Sequence, residues 1–119
     1  MGQSLFERLG GNEGITKLAG DVVDNHLTNN AIATRFANSD VEKLKNAAAT
    51  FFIAGTGGGD VYKGKDMLAA HKGMNISPLE FMAVLDDALA ALKKNKIGQR
   101  EQEAVVFVLY SMRSQIVLV

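Results

Sequence analysis

His26 and His71 are the only imidazoles in the chain, and no cysteine accompanies them. Any nitrogen-bound metal, proton relay or imidazole base must therefore use one or both. Zinc is excluded, because two histidines with no thiolate and no His-x-x-x-His pair leave too few ligands of the usual types. His71 follows Met67 by four residues and Leu68 by three, which puts the ring on the apolar face of a short helical segment between Gly64 and Gly73. On this pattern a hydrogen-bonded or half-exposed histidine competes with a metal ligand. His26 lies one turn beyond Val22 and Val23, towards a packed face. Its default is a core-edge histidine bonded to a backbone carbonyl or to water.

The remaining groups that could do chemistry are better explained by structure. Gly55-Thr56-Gly57-Gly58-Gly59 lacks the preceding strand and the Lys-Ser/Thr pair of a phosphate loop, so it reads as a helix stop followed by a flexible loop. Asp86 and Asp87 are neighbours in a helical stretch, where side chains diverge by about 100°, and are expected on the solvated surface. Lys93, Lys94 and Lys96 suit the negative end of a helix.

The elements that would position these groups are all helical. Ser4 with Glu7 has capping-box spacing and predicts a short opening helix ended by Gly10-Gly11, with Asn12 capping the next. Ile15, Leu18, Ala19, Val22, Val23 and Leu27 recur at helical spacing and predict a helix of roughly 15 residues before Thr28-Asn29-Asn30. Ser39 with Glu42 repeats the box ahead of Val41, Leu44, Ala48, Phe51 and Phe52. From Asp60 to Asn75 the chain reads as loop, with one short helix at Met67-Leu68-His71. Ser77-Pro78-Leu79-Glu80 combines an N-cap, a proline at the first helical position and a glutamate three residues after the cap. The helix it opens carries Phe81, Leu85, Ala88 and Leu92 on one face and should stop by Gly98. A last helix from about Gln99 shows Val105, Val108, Leu109, Met112 and Ile116, widened by Val106 and Phe107. No segment alternates as a strand would, so the fold class is all-α, a single domain over residues 1–119.

Composition narrows the partners. Thirteen basic residues balance thirteen acidic ones, so there is no net field to draw in nucleic acid or an anionic membrane. With 47% hydrophobic residues the chain can bury a core. No apolar run approaches the roughly 20 residues of a membrane span. Met1 to Phe6 shows neither a secretory signal nor the Ser or Thr that a myristoylated Gly2 would need at Phe6. A cytoplasmic monomer is expected.

Five segments in order carry a resemblance: Ser4-Leu5-Phe6-Glu7-Arg8-Leu9-Gly10-Gly11, Arg35-Phe36-Ala37-Asn38, Phe51-Phe52 through Gly57-Gly58, Tyr62-Lys63-Gly64-Lys65-Asp66-Met67, and Ala70-His71-Lys72-Gly73-Met74-Asn75-Ile76. Together they resemble the group I truncated haemoglobins over essentially the whole chain. The resemblance implies a two-over-two helical sandwich around haem b, with His71 as the proximal iron ligand. It implies that Phe36 wedges against the porphyrin, and that Tyr62, Met67, Ala70, Phe81 and Leu85 contact the haem edge or proximal side. Val23, Leu44, Ala47, Ala48 and Phe52 would surround the distal face, with Leu44, Ala48 and Phe52 also serving as haem contacts.

Members of that family typically carry a tyrosine where Val23 aligns, and often glutamine or histidine where Leu44, Ala47 or Ala48 align. All four positions are apolar here. The expected activity is binding of oxygen, nitric oxide or carbon monoxide at iron in an unusually apolar distal pocket. Nitric oxide dioxygenation with a reductase partner is the enzymatic alternative, and a haem-free helical interaction module is a third. For His26 the resemblance adds two roles to packing: reaching the distal ligand, or binding iron as its sixth ligand. On a helical wheel Val23 and Leu27 face the haem side and His26 lies away from it. Lys43, Lys45, Lys63 and Lys65 are candidate partners of the haem propionates.

Overall fold

In the computed structural model, which describes residues 3–119, the capping signals near the start set the first turns of chain. The reading of Met1 and Gly2 as free of targeting signals lies outside the described residues. Ser4 and Glu7 form the full box at the start of α1 (Leu5–Arg8). Gly10 and Gly11 then take φ of 99° and 67°, a left-handed conformation that glycine adopts at little cost, and the chain turns straight into α2 (Gly11–Thr28). Because Gly14 N–H already donates to Gly10 C=O, α2 begins before Asn12, and no side chain caps it. A short 3-10 helix (Ala33–Phe36) leads to α3 (Val41–Gly55). Its cap is Asp40 rather than Ser39, with the Asp40 side chain accepting from Lys43 N–H. Ser39 N–H instead closes the preceding turn on Phe36 C=O.

The glycine segment after α3 is a packing joint. Phe6 N–H donates to Thr56 C=O at 2.9 Å, Thr56 is buried, and a side chain at Gly58 would collide with the Phe6 ring. Next come α4 (Met67–His71), capped by Asp66, and α5 (Pro78–Lys94), opened by the complete Ser77/Glu80 box. The left-handed Lys96 turns the chain after α5 ends at Lys94, and Gly98 serves as the N-cap of α6 (Gln99–Tyr110). The long last helix expected from the apolar pattern is two helices, broken at Ser111-Met112 before α7 (Arg113–Ile116). Phe107, expected to widen the apolar face, is 75% exposed.

Helices α2 and α3 pack together and α5 packs with α6, while α2 lies against α5 and joins the two layers. Ile15, Leu18, Ala19 and Val22 meet Phe52, Ile53, Ala88, Ala91, Leu92 and Val105 in the main core. A smaller cluster of Phe81, Leu85 and Val117 sits under the C-terminal segment. Among the described residues the only extended pairing is one parallel bridge, Ile76 to Val117. No helix among them is long and apolar enough to cross a membrane.

Candidate functional site

Between the two layers lies a cavity of about 370 Å³. It receives Val23 from α2, Phe36 from the 3-10 helix, and Leu44, Ala47, Ala48 and Phe52 from α3. Tyr62 closes it from the loop, Met67, Ala70 and His71 from α4, and Phe81 and Leu85 from α5. Every pocket residue expected from the sequence therefore borders one space. Leu109, Met112 and Ile116 also border it. The sequence pattern marked them as an apolar face without saying what that face covers.

His71 stands at the end of α4, whose first turn is held by Asp66 Oδ1 accepting from Ala69 N–H at 2.7 Å. Its Nδ1 is 2.8 Å from the Met67 carbonyl oxygen. A carbonyl only accepts, so Nδ1 carries a proton, and in the neutral ring Nε2 keeps its lone pair. The loop beyond is braced by the far end of the chain: Gly73 and Asn75 N–H donate to Val119 C=O, and Leu118 N–H donates to Ile76 C=O.

Apart from the two histidines, polar side chains on the wall are already spent. Tyr62 Oη donates to Lys65 C=O at 2.7 Å. Arg35 makes a two-pronged ion pair with Glu80 and donates to Met74 C=O. The guanidinium pulls the Glu80 carboxyl down to about 2, helped by the Ser77 backbone N–H. None of Lys43, Lys45, Lys63 and Lys65 borders the cavity. Lys45 is paired with Asp24 at 2.9 Å, and Lys63 reaches Asp60 C=O.

A two-layer helical fold thus encloses an apolar cavity with two histidines on its wall. The family model described as "Bacterial-like globin" matches residues 4–117. The chain belongs to this globin family. It is 32% identical over 92 residues to the group 1 truncated hemoglobin of Tetrahymena pyriformis, covering 77% of this chain and 76% of that one. The group 1 truncated hemoglobin GlbN of Synechocystis sp. is 30% identical, covering 76% and 77%. The crystal structure of truncated hemoglobin from Tetrahymena pyriformis in the Fe(III) form superposes with a TM-score of 0.94 at 26% identity, covering 98% of this chain and all of that one. The expected all-α, two-over-two globin fold of the truncated type is thus the observed one.

In this globin His26 and Asp87 depart from their sequence-based readings. Asp87 is not on the solvated surface: it is 8% exposed, and His26 is 9% exposed. His26 Nδ1 lies 2.7 Å from Asp87 Oδ2, so its partner is a carboxylate rather than a backbone carbonyl or water. Asn29 Nδ2 donates to the other carboxylate oxygen at 3.0 Å, and Asn25 Nδ2 donates to the Asp87 carbonyl. The ring also stacks on Phe36, with centroids 5.8 Å apart and planes 8° from parallel. His26 borders the cavity together with Val23, while Leu27, placed on that side by the wheel, does not. The wheel failed because it sets angles within α2 alone, whereas α5 and the 3-10 helix decide how far round α2 the cavity extends.

Proposed function

We propose that this globin holds haem b in the cavity, with Nε2 of His71 as the protein ligand to iron, and that diatomic gases bind on the opposite side. The observation that carries the reading is the bond from His71 Nδ1 to the Met67 carbonyl. It fixes the tautomer and orientation that leave Nε2 as a donor to metal, and an acceptor behind an imidazole strengthens it as a ligand.

The residues present fit the group. A cavity of about 370 Å³ falls within the roughly 300–1,000 Å³ typical of cofactor sites. Phe36, Tyr62, Met67, Ala70, Phe81 and Leu85 offer mostly apolar surface, and burial of a porphyrin's apolar face is worth about 25 cal/mol per Å². With no cysteine the chain cannot make thioether links to haem, which favours a b-type group held by contacts and ligation. Bound there, haem supplies an iron centre for oxygen, nitric oxide or carbon monoxide. This chain's residues orient the ring of His71, keep water from the apolar wall and shape access to the far side.

Val23, Leu44, Ala47, Ala48 and Phe52 bring no hydrogen-bond donor to that far side. Gas binding without long retention of oxygen is the reading this supports. Nitric oxide dioxygenation, which relies on a held oxygen molecule and a reductase partner, gains no support from such a wall.

Titration of the purified protein with hemin tests the assignment. One equivalent should produce a Soret band, and His71→Ala should alter the ferrous carbon monoxide spectrum and weaken haem retention. Absence of a stoichiometric Soret complex would favour the haem-free interaction module. An unchanged spectrum and haem affinity in His71→Ala would remove His71 as the ligand.

A further inference from the structure

The wall of the cavity carries two imidazoles whose Nδ1 atoms are held and whose Nε2 atoms have no protein partner. His71 is accounted for by the haem reading, and the inference below rests on that reading. His26 is not. Its ring is held from two sides, by Asp87 Oδ2 at Nδ1 and by Phe36 stacked on its face, and Asn29 in turn fixes the carboxylate. No buried polar side-chain atom among the described residues is both sealed off and unpartnered, so His26 Nε2 meets open space. His26 is itself one of the residues that wall the cavity.

We infer that His26 and Asp87 form an acid–base pair for small weak-acid ligands HX, such as hydrazoic acid, hydrogen cyanide or hydrogen sulfide. An apolar wall penalises entry of the anion X⁻, so the neutral molecule is the form that crosses it. The anion is the form that binds ferric iron, and the proton must be left somewhere. His26 Nε2 takes it. The H–X bond breaks with its electron pair remaining on X, a new N–H bond forms on Nε2, and no oxidant or reductant is consumed. The imidazolium produced is buried, and the Asp87 carboxylate 2.7 Å away compensates its charge.

The other ionisable groups on the wall do not compete for this proton. Glu80 is engaged by Arg35 and by Ser77 N–H, Tyr62 donates to Lys65 C=O, and His71 belongs to the iron. Asp87 faces His26 from α5, its second oxygen held by Asn29 from the end of α2. Because Nδ1 already carries the proton directed at Asp87, neutral His26 presents an acceptor to the cavity. It therefore assists protic ligands without holding oxygen or carbon monoxide, in keeping with the donor-poor far side.

The test uses the haem-reconstituted protein with azide as the probe for its ferric form and carbon monoxide as a proton-free control for its ferrous form. In the His26→Leu/Asp87→Leu double variant, which removes both members so that no buried charge is stranded, azide association should slow by about 10²-fold, the low end for general acid–base assistance. Carbon monoxide association should change little. Asp87→Asn, which keeps the size of the side chain, should also slow azide. Nitrogen NMR of the haem-free wild type should show His26 with Nδ1 protonated and Nε2 bare. The inference is overturned if azide kinetics are unchanged, if azide and carbon monoxide slow together, or if the NMR shows the opposite tautomer. It is also overturned if a six-coordinate low-spin ferric wild type becomes high-spin in the variant, since His26 would then bind iron itself. Lack of a Soret complex in the wild type overturns the haem reading and this inference together. A normal Soret complex with unchanged azide kinetics overturns this inference alone.

Discussion

Arg35 and Glu80 grip each other through two parallel contacts, Nε to Oε2 and Nη2 to Oε1, and so tie the 3-10 helix bearing Phe36 to the first turn of α5. Glu80 is at the same time the glutamate of the capping box, accepting from Ser77 N–H at 3.0 Å. Its carboxyl is drawn from its ordinary 4.5 down to about 2, first by Arg35 and then by Ser77. A folded value below the unfolded one means that this stabilisation is complete above about pH 4.5 and is lost as the pH falls towards 2. Glu80→Gln keeps the cap but removes the charge. It should cost about 0.5–1 kcal/mol at neutral pH, as partly exposed ion pairs do, and flatten the melting temperature against pH between pH 4.5 and 2. Parallel wild-type and variant curves across that window would show that the pair is not a source of acid sensitivity.

Gly14 and Gly20 both lie within α2, yet alanine should have opposite effects at the two. At Gly20 a Cβ would find its nearest neighbour at 4.0 Å, the flexible Lys45 chain. Alanine there should stabilise the helix by about 0.5–1 kcal/mol. At Gly14 the Cβ would run into the carbonyl oxygen of Leu9, which is backbone and cannot swing aside. The overpacking of about 1–3 kcal/mol should exceed the helix gain, and Gly14→Ala should melt lower than wild type. A higher melting temperature for Gly14→Ala would mean that the turn through Gly10 can open without cost.

Val23→Tyr tests the donor-poor far side of the cavity. Val23 is 2% exposed and borders the cavity, so the ring of a tyrosine there would extend into it. A phenol donor to bound oxygen contributes roughly 1.5–3 kcal/mol, which slows oxygen dissociation by about ten- to hundredfold or more. Carbon monoxide should gain less, because it gathers less negative charge. Stopped-flow displacement of oxygen would measure this. An unchanged oxygen off-rate would show that Val23 does not face the bound gas.

How much of this protein could be read in advance depends on how far apart the interacting groups lie. The Ser4/Glu7 and Ser77-Pro78-Glu80 signals were legible because each cap closes on a backbone group three residues away. The stripes of α2 and α5 were legible for the same reason, since helical spacing alone chooses a buried face. Near-ties were not resolved. Ser39 and Asp40 can both cap α3, and it is Asp40 whose side chain accepts from Lys43 N–H. The break at Ser111-Met112 carries no local signal, because the apolar pattern runs through it.

The amino-acid order by itself determined the all-α class, the caps and apolar stripes of most helices, and the grouping of His71 with Met67 on a short helix, which follow from local hydrogen bonding and periodicity and need no knowledge of neighbouring elements. The set of apolar residues that wall one cavity follows instead from the resemblance to the truncated haemoglobins. Only the tertiary structure decided that Asp87 is buried against His26, 61 residues away, and that Arg35 closes on Glu80, 45 residues away. The reason is physical. A lone aspartate in a helix is stable in water, and it leaves water only when donors from another element replace its hydration, here the ring of His26 and the amide of Asn29.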